Sequence, residues 1–166
     1  MVRTSRIWFF SKILNFLPPT RFFKLKRIIY GYAGLDIESN VRISSNIKIL
    51  IGGDVSIGEN TWVGHGFLLT GGDALVQIGK NCDIGPNVSI VTGTHVIDYV
   101  GDHVAGQGYS LPVTIGNGCW ICTSAVILGG TVIGEKSIVA AGAVVRGTYP
   151  PKSLIGGVPA VVIKKL

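Results

Sequence analysis

The sequence predicts an all-β solenoid of about five coils, and three observations support this prediction. Branched aliphatic residues recur every six positions, and small residues recur four positions after them. Glycine accounts for 24 of the 166 residues, while charged residues make up only 14%. Short Val/Ile strands joined by glycine-containing turns fit this composition better than helices do. The length is that of one domain with a sizeable core.

The six-residue repeat arranges the aliphatic positions in five groups of three. These groups are Ile37/Ile43/Ile49, Ile57/Val63/Leu69, Ile78/Ile84/Ile90, Ile115/Ile121/Ile127 and Ile133/Val139/Val145. If each group forms one coil, the stacked side chains fill one continuous core. The predicted solenoid spans residues 35–145, and a C-terminal tail follows at residues 146–166.

All of the extra residues between groups enter at one corner, between the third strand of a coil and the first strand of the next. Two extra residues follow Ile49, three follow Leu69 and nineteen follow Ile90. Insertions that share one edge of a solenoid commonly build its binding face. The longest insertion predicts a side loop at about residues 92–112, and this loop carries His95.

Stacking also places outward side chains in columns. Trp62 and Trp120 fall in one column with Asp83 between them, while His65 and Thr123 share the adjoining edge. An exposed tryptophan is unfavourable, so we expect each of the two to meet a ligand or another subunit.

The first 34 residues differ in composition from the rest of the chain. They hold seven of the 15 basic residues and none of the nine acidic ones. Helical spacing predicts an amphipathic helix over Ile7–Leu17 that ends at Pro18-Pro19, and a second, basic helix from about Arg21 to Tyr30. The first apolar stretch is too short and polar to span a bilayer, and no signal-peptide cleavage site follows it.

Two interpretations of residues 1–34 remain open at this point. Their apolar faces pack on the body of the protein or on a neighbouring subunit, or they contact an anionic membrane. The second interpretation predicts a cytoplasmic protein that is peripheral at the inner face of the membrane.

The three cysteines indicate neither a disulfide nor a zinc site. Cys82 and Cys119 occupy the small, inward position of the repeat, and Cys122 falls at a corner. The Cys119-x-x-Cys122 spacing is therefore a by-product of the repeat, and free thiols suit a reducing cytoplasm.

From about Ile37 onward the chain resembles the hexapeptide-repeat (left-handed β-helix) acyltransferases, especially the maltose/galactoside and capsule-polysaccharide O-acetyltransferases. The segments that carry the resemblance are IGPNVSIVTGTH at 84–95, YSLPVTIGNGCWI at 109–121, IGEKSIVAAGAVV at 133–145, YPP at 149–151 and GGVPA at 156–160. The resemblance implies a left-handed parallel β-helix, acetyl-CoA as acyl donor, no metal, and a homotrimer with its sites between subunits.

The resemblance also implies a mechanism. His95 matches the catalytic histidine of the family, which takes the proton of an acceptor hydroxyl as the oxygen attacks the thioester. A backbone N–H at the corner of Thr123 meets the oxyanion. The imidazole is oriented by Asp98, by Asp102 or by a backbone carbonyl.

Further residues match family positions that contact coenzyme A or the acceptor. For coenzyme A they are Trp120, Thr123, Ala141 and Arg146, with Lys152, Lys164 and Lys165 in reach of the phosphates. The family usually has an arginine where this chain has Val161, so the phosphate contact is assigned to Lys164. For the acceptor they are Trp62, His65 and Asp73.

The implied acceptor is a hydroxyl of a sugar or lipid-linked saccharide in cell-envelope or capsular polysaccharide synthesis, and no nucleic acid partner is expected. Three alternatives stay open. They are the same chemistry on a small non-sugar acceptor, a γ-carbonic-anhydrase-like zinc enzyme that uses His65, His95 and His103, and a non-catalytic scaffold.

Overall fold

The computed structural model of the protein describes residues 4–166. In chain order these residues form two helices and twenty strands: α1 (Thr4–Leu14), α2 (Phe23–Tyr32), β1 (Asp36–Ile37), β2 (Arg42–Ile43), β3 (Lys48–Leu50), β4 (Val55–Ile57), β5 (Trp62–Val63), β6 (Leu68–Thr70), β7 (Val76–Ile78), β8 (Asp83–Ile84), β9 (Ser89–Val91), β10 (Gly93–Ile97), β11 (Ala105–Ser110), β12 (Val113–Ile115), β13 (Trp120–Ile121), β14 (Val126–Leu128), β15 (Thr131–Ile133), β16 (Ile138–Val139), β17 (Val144–Val145), β18 (Thr148–Tyr149), β19 (Ser153–Gly157) and β20 (Ala160–Lys165). Neither helix combines the length and the apolar character that crossing a bilayer requires.

The strands stack in three parallel sheets. Their orders are β1-β4-β7-β12-β15-β18, β2-β5-β8-β13-β16-β19 and β3-β6-β9-β14-β17. Successive strands of the chain fall in successive sheets, so three strands make one coil. The predicted solenoid is confirmed.

The predicted aliphatic groups lie in register inside the prism. In the second sheet Ile43 pairs with Val63, and the column continues through Ile84, Ile121 and Val139. All five side chains are fully buried. Burial of each such side chain stabilises the fold by about 1.5–3 kcal/mol. The column therefore acts as one continuous core.

The stack has a partial sixth coil beyond the five that were predicted. In β18, Tyr149 pairs with Ile133, and in β19, Ile155 pairs with Val139. Tyr149 is aromatic and follows Val145 by four residues instead of six, which is why the repeat pattern stops short of it. The last strand, β20, turns back and runs antiparallel along β19.

Two corners of each complete coil have a fixed length, and the third varies. Four residues join the first strand to the second, and four join the second to the third, in each of the five complete coils. Only the connection from the third strand to the next coil changes in length, as the spacing predicted.

The fixed corners depend on a left-handed backbone conformation. Asn40, Asn60 and Asn81 stack at one corner with φ values of 56°, 59° and 55°. Asparagine tolerates this region better than most residues with a side chain. Their carboxamides are also joined, because Asn40 Nδ2 donates to Asn60 Oδ1 at 3.3 Å and Asn60 Nδ2 donates to Asn81 Oδ1 at 3.2 Å.

The two helices cover the first coil. Helix α1 packs on β3, and α2 packs on β1, β2 and α1. Their inward side chains Ile7, Leu14 and Tyr30 are buried. Lys26 is also fully buried, and its Nζ donates to the carbonyl oxygens of Pro18 and Pro19 at 2.9 and 2.7 Å. One face of each helix therefore packs on the body of the protein.

Helix α2 and strand β2 cover part of Trp62. The ring of Phe23 meets Trp62 edge-on with centroids 5.7 Å apart, and the Arg42 guanidinium lies 5.4 Å from the Trp62 ring centroid. The sequence predicted that Trp62 would meet a ligand or another subunit, and it did not indicate that residues of the same chain contact the ring. Trp120, by contrast, remains 53% exposed.

Candidate active site

The long side loop is a hairpin that leaves the solenoid at its variable corner. After β9 the chain enters β10, which pairs antiparallel with β11 before the next coil begins at β12. Within the hairpin His95 stands opposite Gly108. The strand pairing holds the histidine on regular structure instead of on a free loop.

A single hydrogen bond fixes the His95 imidazole. Its Nδ1 lies 2.8 Å from the carbonyl oxygen of Gly106. A carbonyl oxygen can only accept, so Nδ1 donates the hydrogen bond, and in the neutral imidazole the free lone pair is then on Nε2. The imidazole is therefore held in the tautomer that a general base requires, with the basic nitrogen directed away from the anchor.

Asp98 does not orient this imidazole, although the sequence left that role open. Its Oδ1 accepts hydrogen bonds from the N–H groups of Val100 and Gly101, both at 2.9 Å. These two bonds lower the pKa of the Asp98 carboxyl. Asp98 thus shapes the tip of the hairpin, and the backbone carbonyl of Gly106 orients the histidine.

The structure brings His95 together with Asp73, which the sequence assigned to acceptor binding. Both line an open cleft of about 410 Å³ whose remaining walls are Gly72, Gly93, Thr94, Gly108, Tyr109 and Ser110. Asp73 comes from the insertion of the preceding coil, between β6 and β7. Two insertions at the variable corner therefore build one cleft, with a potential base and a carboxylate in its wall.

A second set of predicted residues lies at a different corner, between the second and third sheets. Thr123 is exposed there, and its Oγ1 donates to the carbonyl oxygen of Pro86 at 2.9 Å. Within residues 4–166, no group accepts a hydrogen bond from the Thr123 N–H. Ala141 is stacked on this corner, since the N–H of Gly142 donates to the carbonyl oxygen of Thr123 at 3.1 Å.

The predicted cationic residues lie toward the C-terminal end and are exposed. Arg146 follows β17, and Lys164 on β20 pairs with Leu154. Val161, at the position of the expected arginine, is 60% exposed and opposes Gly156.

The two sets do not meet within one chain. The cleft around His95 and Asp73 includes none of the residues predicted for the oxyanion and coenzyme A, which are Trp120, Thr123, Ala141, Arg146 and Lys164. Within one chain the predicted residues therefore fall into two separate groups on two corners of the prism.

Comparison with known proteins identifies the family. The model for the bacterial transferase hexapeptide (six repeats) matches residues 112–147, and the model for the hexapeptide repeat of succinyl-transferase matches residues 75–98. The galactoside O-acetyltransferase of Escherichia coli is 34% identical over 131 residues, which are 78% of this chain and 63% of the relative. A putative acetyltransferase of Dictyostelium discoideum is 32% identical over 138 residues, which are 83% of this chain and 70% of the relative. The chain belongs to the hexapeptide-repeat acetyltransferases.

Solved structures of hexapeptide-repeat acetyltransferases share the fold. A galactoside acetyltransferase in complex with coenzyme A has a TM-score of 0.83 and 27% sequence identity, covering 98% of this chain and 80% of that one. An acetyltransferase of Vibrio cholerae complexed with acetyl coenzyme A has a TM-score of 0.76 and 24% identity, covering 98% and 86% of the two chains.

The chain spans less than two thirds of the length of several relatives that it matches. The matches span 44%, 58% and 63% of two putative yeast acetyltransferases and the E. coli galactoside enzyme. A putative colanic acid biosynthesis acetyltransferase of E. coli, WcaF, is 29% identical over 151 residues, which are 89% of this chain and 78% of the relative.

The sequence did not indicate a basic groove beside Trp62 in this family member. The groove measures about 640 Å³ and is lined by Phe23, Lys24, Arg27, Ser39, Asn40, Val41, Arg42 and Asn60. Its lining has three cationic side chains and no carboxylate. Only the packing of α2 on the first coil brings Arg42 beside the two basic residues of the helix, so local sequence patterns carry no signal for it.

The histidines and cysteines of this family member do not form a metal cluster in the described part of the chain. No group of three or more His, Cys, Asp or Glu side chains there is placed to hold a metal ion. Cys82 and Cys119 are buried, as predicted, and Cys122 is half-buried. Burial raises the pKa of Cys119 to about 11 and raises the pKa of Cys82 and Cys122.

Proposed function

We propose that the protein transfers the acetyl group of acetyl-CoA to a sugar hydroxyl, in the synthesis of a cell-envelope or capsular polysaccharide. The observation that carries this proposal is the His95 imidazole, whose Nδ1 is anchored on the Gly106 carbonyl in a cleft that also holds Asp73. Family membership supports the acyl transfer, and the relative named for colanic acid biosynthesis supports the envelope role.

In the proposed mechanism His95 Nε2 accepts the proton of the acceptor hydroxyl. The hydroxyl oxygen then forms a bond to the thioester carbonyl carbon, and the Thr123 N–H donates a hydrogen bond to the developing oxyanion. The carbon–sulfur bond breaks as the tetrahedral centre collapses. The imidazolium returns its proton to the departing sulfur, so the histidine is restored and no covalent acyl-enzyme forms.

A homotrimer would unite the two half-sites. The His95 cleft and the Thr123 corner lie on different corners of one prism, so a neighbouring copy must supply the second half if both act on one substrate pair. The 53% exposed Trp120 would be covered at the same contact. The proposed sites therefore lie between subunits.

Coenzyme A is proposed to lie along the Thr123 and Ala141 corner. The unpaired Thr123 N–H and the exposed small side chain of Ala141 leave room for an extended pantetheine chain. Arg146, Lys164, Lys152 and Lys165 would contact the phosphates of coenzyme A. They would take over the contact of the family arginine, whose position is occupied by Val161 in this chain.

For the acceptor we propose contacts from Asp73 in the cleft and from Trp62 and His65 of a neighbouring copy, since these two residues lie at and beside the Thr123 corner. The basic groove lined by Phe23, whose ring contacts Trp62, would suit a phosphate of a lipid-linked saccharide, because it offers cations without a competing carboxylate. Such an acceptor would place the enzyme in the cytoplasm, peripheral at the inner face of the membrane, with residues 1–34 in contact with lipid.

The base is tested by replacing His95 and measuring sugar-dependent release of free coenzyme A thiol from acetyl-CoA. His95→Ala should lower kcat/KM by about 10²–10⁴-fold, the usual contribution of a positioned general base. His103→Ala is the matched control, since His103 is an exposed histidine of the same loop that lies outside the cleft. The proposal fails if His95→Ala keeps the activity of the native chain.

The same assay separates the proposed acceptor from the alternative of a small non-sugar acceptor. Sugars, saccharide phosphates and simple hydroxylated compounds are offered at equal concentration. Activity confined to the non-saccharides would overturn the polysaccharide assignment and leave the acyl transfer intact.

A further inference from the structure

Helix α1 is apolar on two opposite sides. Ile7 and Leu14 are buried against the body, at 2% and 0% exposure. On the other side Phe9, Ile13 and Phe16, which follows the end of the helix, are 56%, 46% and 91% exposed. Their spacing of four and three residues places them in one stripe. An amphipathic helix on a water-exposed surface carries polar residues there.

Helix α2 repeats this arrangement. Its inward face holds the buried Lys26 and Tyr30, whereas Leu25, Ile28 and Tyr32 are 45%, 42% and 72% exposed. These three residues are spaced by three and four positions, so they also form one outward stripe.

The two stripes meet in one surface. Arg6, Phe9 and Phe10 of α1 and Tyr32 of α2 line a common open cleft of about 450 Å³, together with Ser5. We call the surface made by Phe9, Ile13, Phe16, Leu25, Ile28 and Tyr32 the outer helical face. Exposed contiguous apolar surfaces of this kind mark interaction sites.

The segment that carries the outer helical face has basic side chains and no acidic ones. Residues 1–34 contain seven basic residues and no acidic residue, and of the basic ones that the structure describes only Lys26 is buried. Lys12 Nζ lies 5.6 Å from the ring centroid of Trp8, which is itself 62% exposed. Aromatic side chains next to lysine or arginine are typical of segments that lie in the interface of a membrane.

The charge of residues 1–34 also argues against a second copy of the chain as the partner that covers the outer helical face. A symmetric contact through this face would bring the basic residues of one copy against those of the other, with no carboxylate in the segment to pair with them. Anionic lipid headgroups provide the missing charge, and the adjoining acyl region takes the aromatic and aliphatic side chains.

We propose that the outer helical face docks on the surface of an anionic lipid bilayer, with Phe9, Ile13 and Phe16 entering the headgroup region and the flanking cations contacting lipid phosphates. The proposed function includes a membrane contact of residues 1–34, and this docking identifies the surface that makes the contact. The docking itself does not depend on acetyl transfer. It orients the solenoid so that its first coil is closest to the lipid.

The test is co-sedimentation of the full chain with phosphatidylcholine vesicles that contain or lack phosphatidylglycerol. Native protein should pellet with the anionic vesicles and should be released by added salt, which screens the headgroup charge. A Phe9→Ser/Phe16→Ser variant should lose about tenfold in vesicle partitioning, because about 1.4 kcal/mol of lost aromatic burial corresponds to a factor of ten. A Tyr99→Ser/Val100→Ser variant is the matched control, since these side chains are 85% and 96% exposed but lie on the side loop.

Three measurements keep the outcome decisive. Circular dichroism establishes that the variants are folded, and gel filtration reports their oligomeric state. If native protein stays in the supernatant with anionic vesicles, or if the Phe9→Ser/Phe16→Ser variant pellets as well as the native chain, the docking proposal is wrong. A changed oligomeric state without a change in pelleting would assign the face to a protein contact and would overturn the docking proposal too.

Thiol release with a soluble acceptor should be equal in both variants, so failure of docking is distinguished from failure of the proposed activity.

Discussion

His95 and Asp98 lie three residues apart, and their hydrogen bonds give them different tasks. The imidazole is oriented by a backbone carbonyl, while the carboxylate folds back on its own turn. A sequence pattern shows which residue types are present, but it does not show which partner each of them chooses. The choice of Gly106 follows from the hairpin pairing between β10 and β11, which brings distant backbone groups together.

Cys119 shows how a buried residue of the repeat makes stability depend on pH. Burial raises the pKa of its thiol to about 11, whereas an unfolded chain has an ordinary thiol pKa of about 8.5. The folded state therefore holds this proton more tightly, and the free energy of unfolding should fall as the pH rises from about 9 to about 11. Urea unfolding across this range, at one protein concentration, measures the slope.

The Cys119→Ala variant is the comparison for that slope, because alanine fills the same repeat position at residues 125 and 143. Cys82 and Tyr30 also have raised pKa values from burial, so native protein and variant will both lose stability in alkali. The slope of the variant should be shallower. Identical slopes would mean that Cys119 ionises as freely in the folded state as in the unfolded chain.

At the scale of the element, the corners determine the shape of each coil as much as the strands do. The stacked asparagines at one corner combine a left-handed backbone with side-chain hydrogen bonds from coil to coil. Gly118 and Lys136 continue the same column with φ values of 67° and 57°. The corner therefore requires the conformation at every level, whichever residue occupies it.

Substitutions at Asn60 separate the two contributions. Asn60→Gly and Asn60→Ala both remove the hydrogen bonds to Asn40 and Asn81, but only alanine retains a Cβ in the left-handed region. We expect the alanine variant to be less stable than the glycine variant by about 1 kcal/mol. The denaturation midpoints of the two variants, compared at equal protein concentration, give this difference. Equal midpoints would show that the corner tolerates a Cβ.

The elements divide into those that the sequence predicts and those that it does not. Strands carrying the aliphatic repeat were predicted in the right order, since burial of every sixth residue is a local signal. The sixth coil was not predicted, because Tyr149 departs from the repeat in both residue type and spacing.

In the candidate site, the sequence identified His95 and Asp73 separately, without indicating that they share a cleft. Their common cleft, the Gly106 anchor and the basic groove depend on contacts between distant segments, which no local pattern encodes.

At the scale of the whole molecule, the separation of the His95 cleft from the Thr123 corner has a direct experimental consequence. If the His95 cleft of one chain works with the Thr123 corner of a neighbour, two inactive variants should complement each other. Thr123→Pro removes the backbone N–H, and Pro86 at the same corner position of the preceding coil shows that this backbone accepts proline. Each of the two variants, Thr123→Pro and His95→Ala, should be inactive alone.

Co-expressed chains of the two variants should regain about one quarter of the native activity. Random mixing gives four pairings of adjacent chains, and only one of them combines an intact His95 with an intact Thr123 at the shared site. The thiol-release assay measures the recovery, and sedimentation equilibrium determines whether the assembly is a trimer. Each variant expressed alone and mixed after purification is the control, because intact trimers should not exchange chains quickly. No recovery on co-expression of folded, assembled chains would place both groups in one subunit.

The antiparallel return of β20 along β19 has a consequence for the length of the molecule. Stacked parallel coils have no internal reason to stop, since every strand offers its open edge to another strand of the same kind. Here the helices lie across the beginning, and β20 lies beside the final strand of the second sheet. A strand edge that is already occupied cannot add a further chain, which is how natural β-proteins avoid growing into fibres. The helices and β20, and not the repeat between them, therefore limit the addition of further strands at the first coil and at the second sheet.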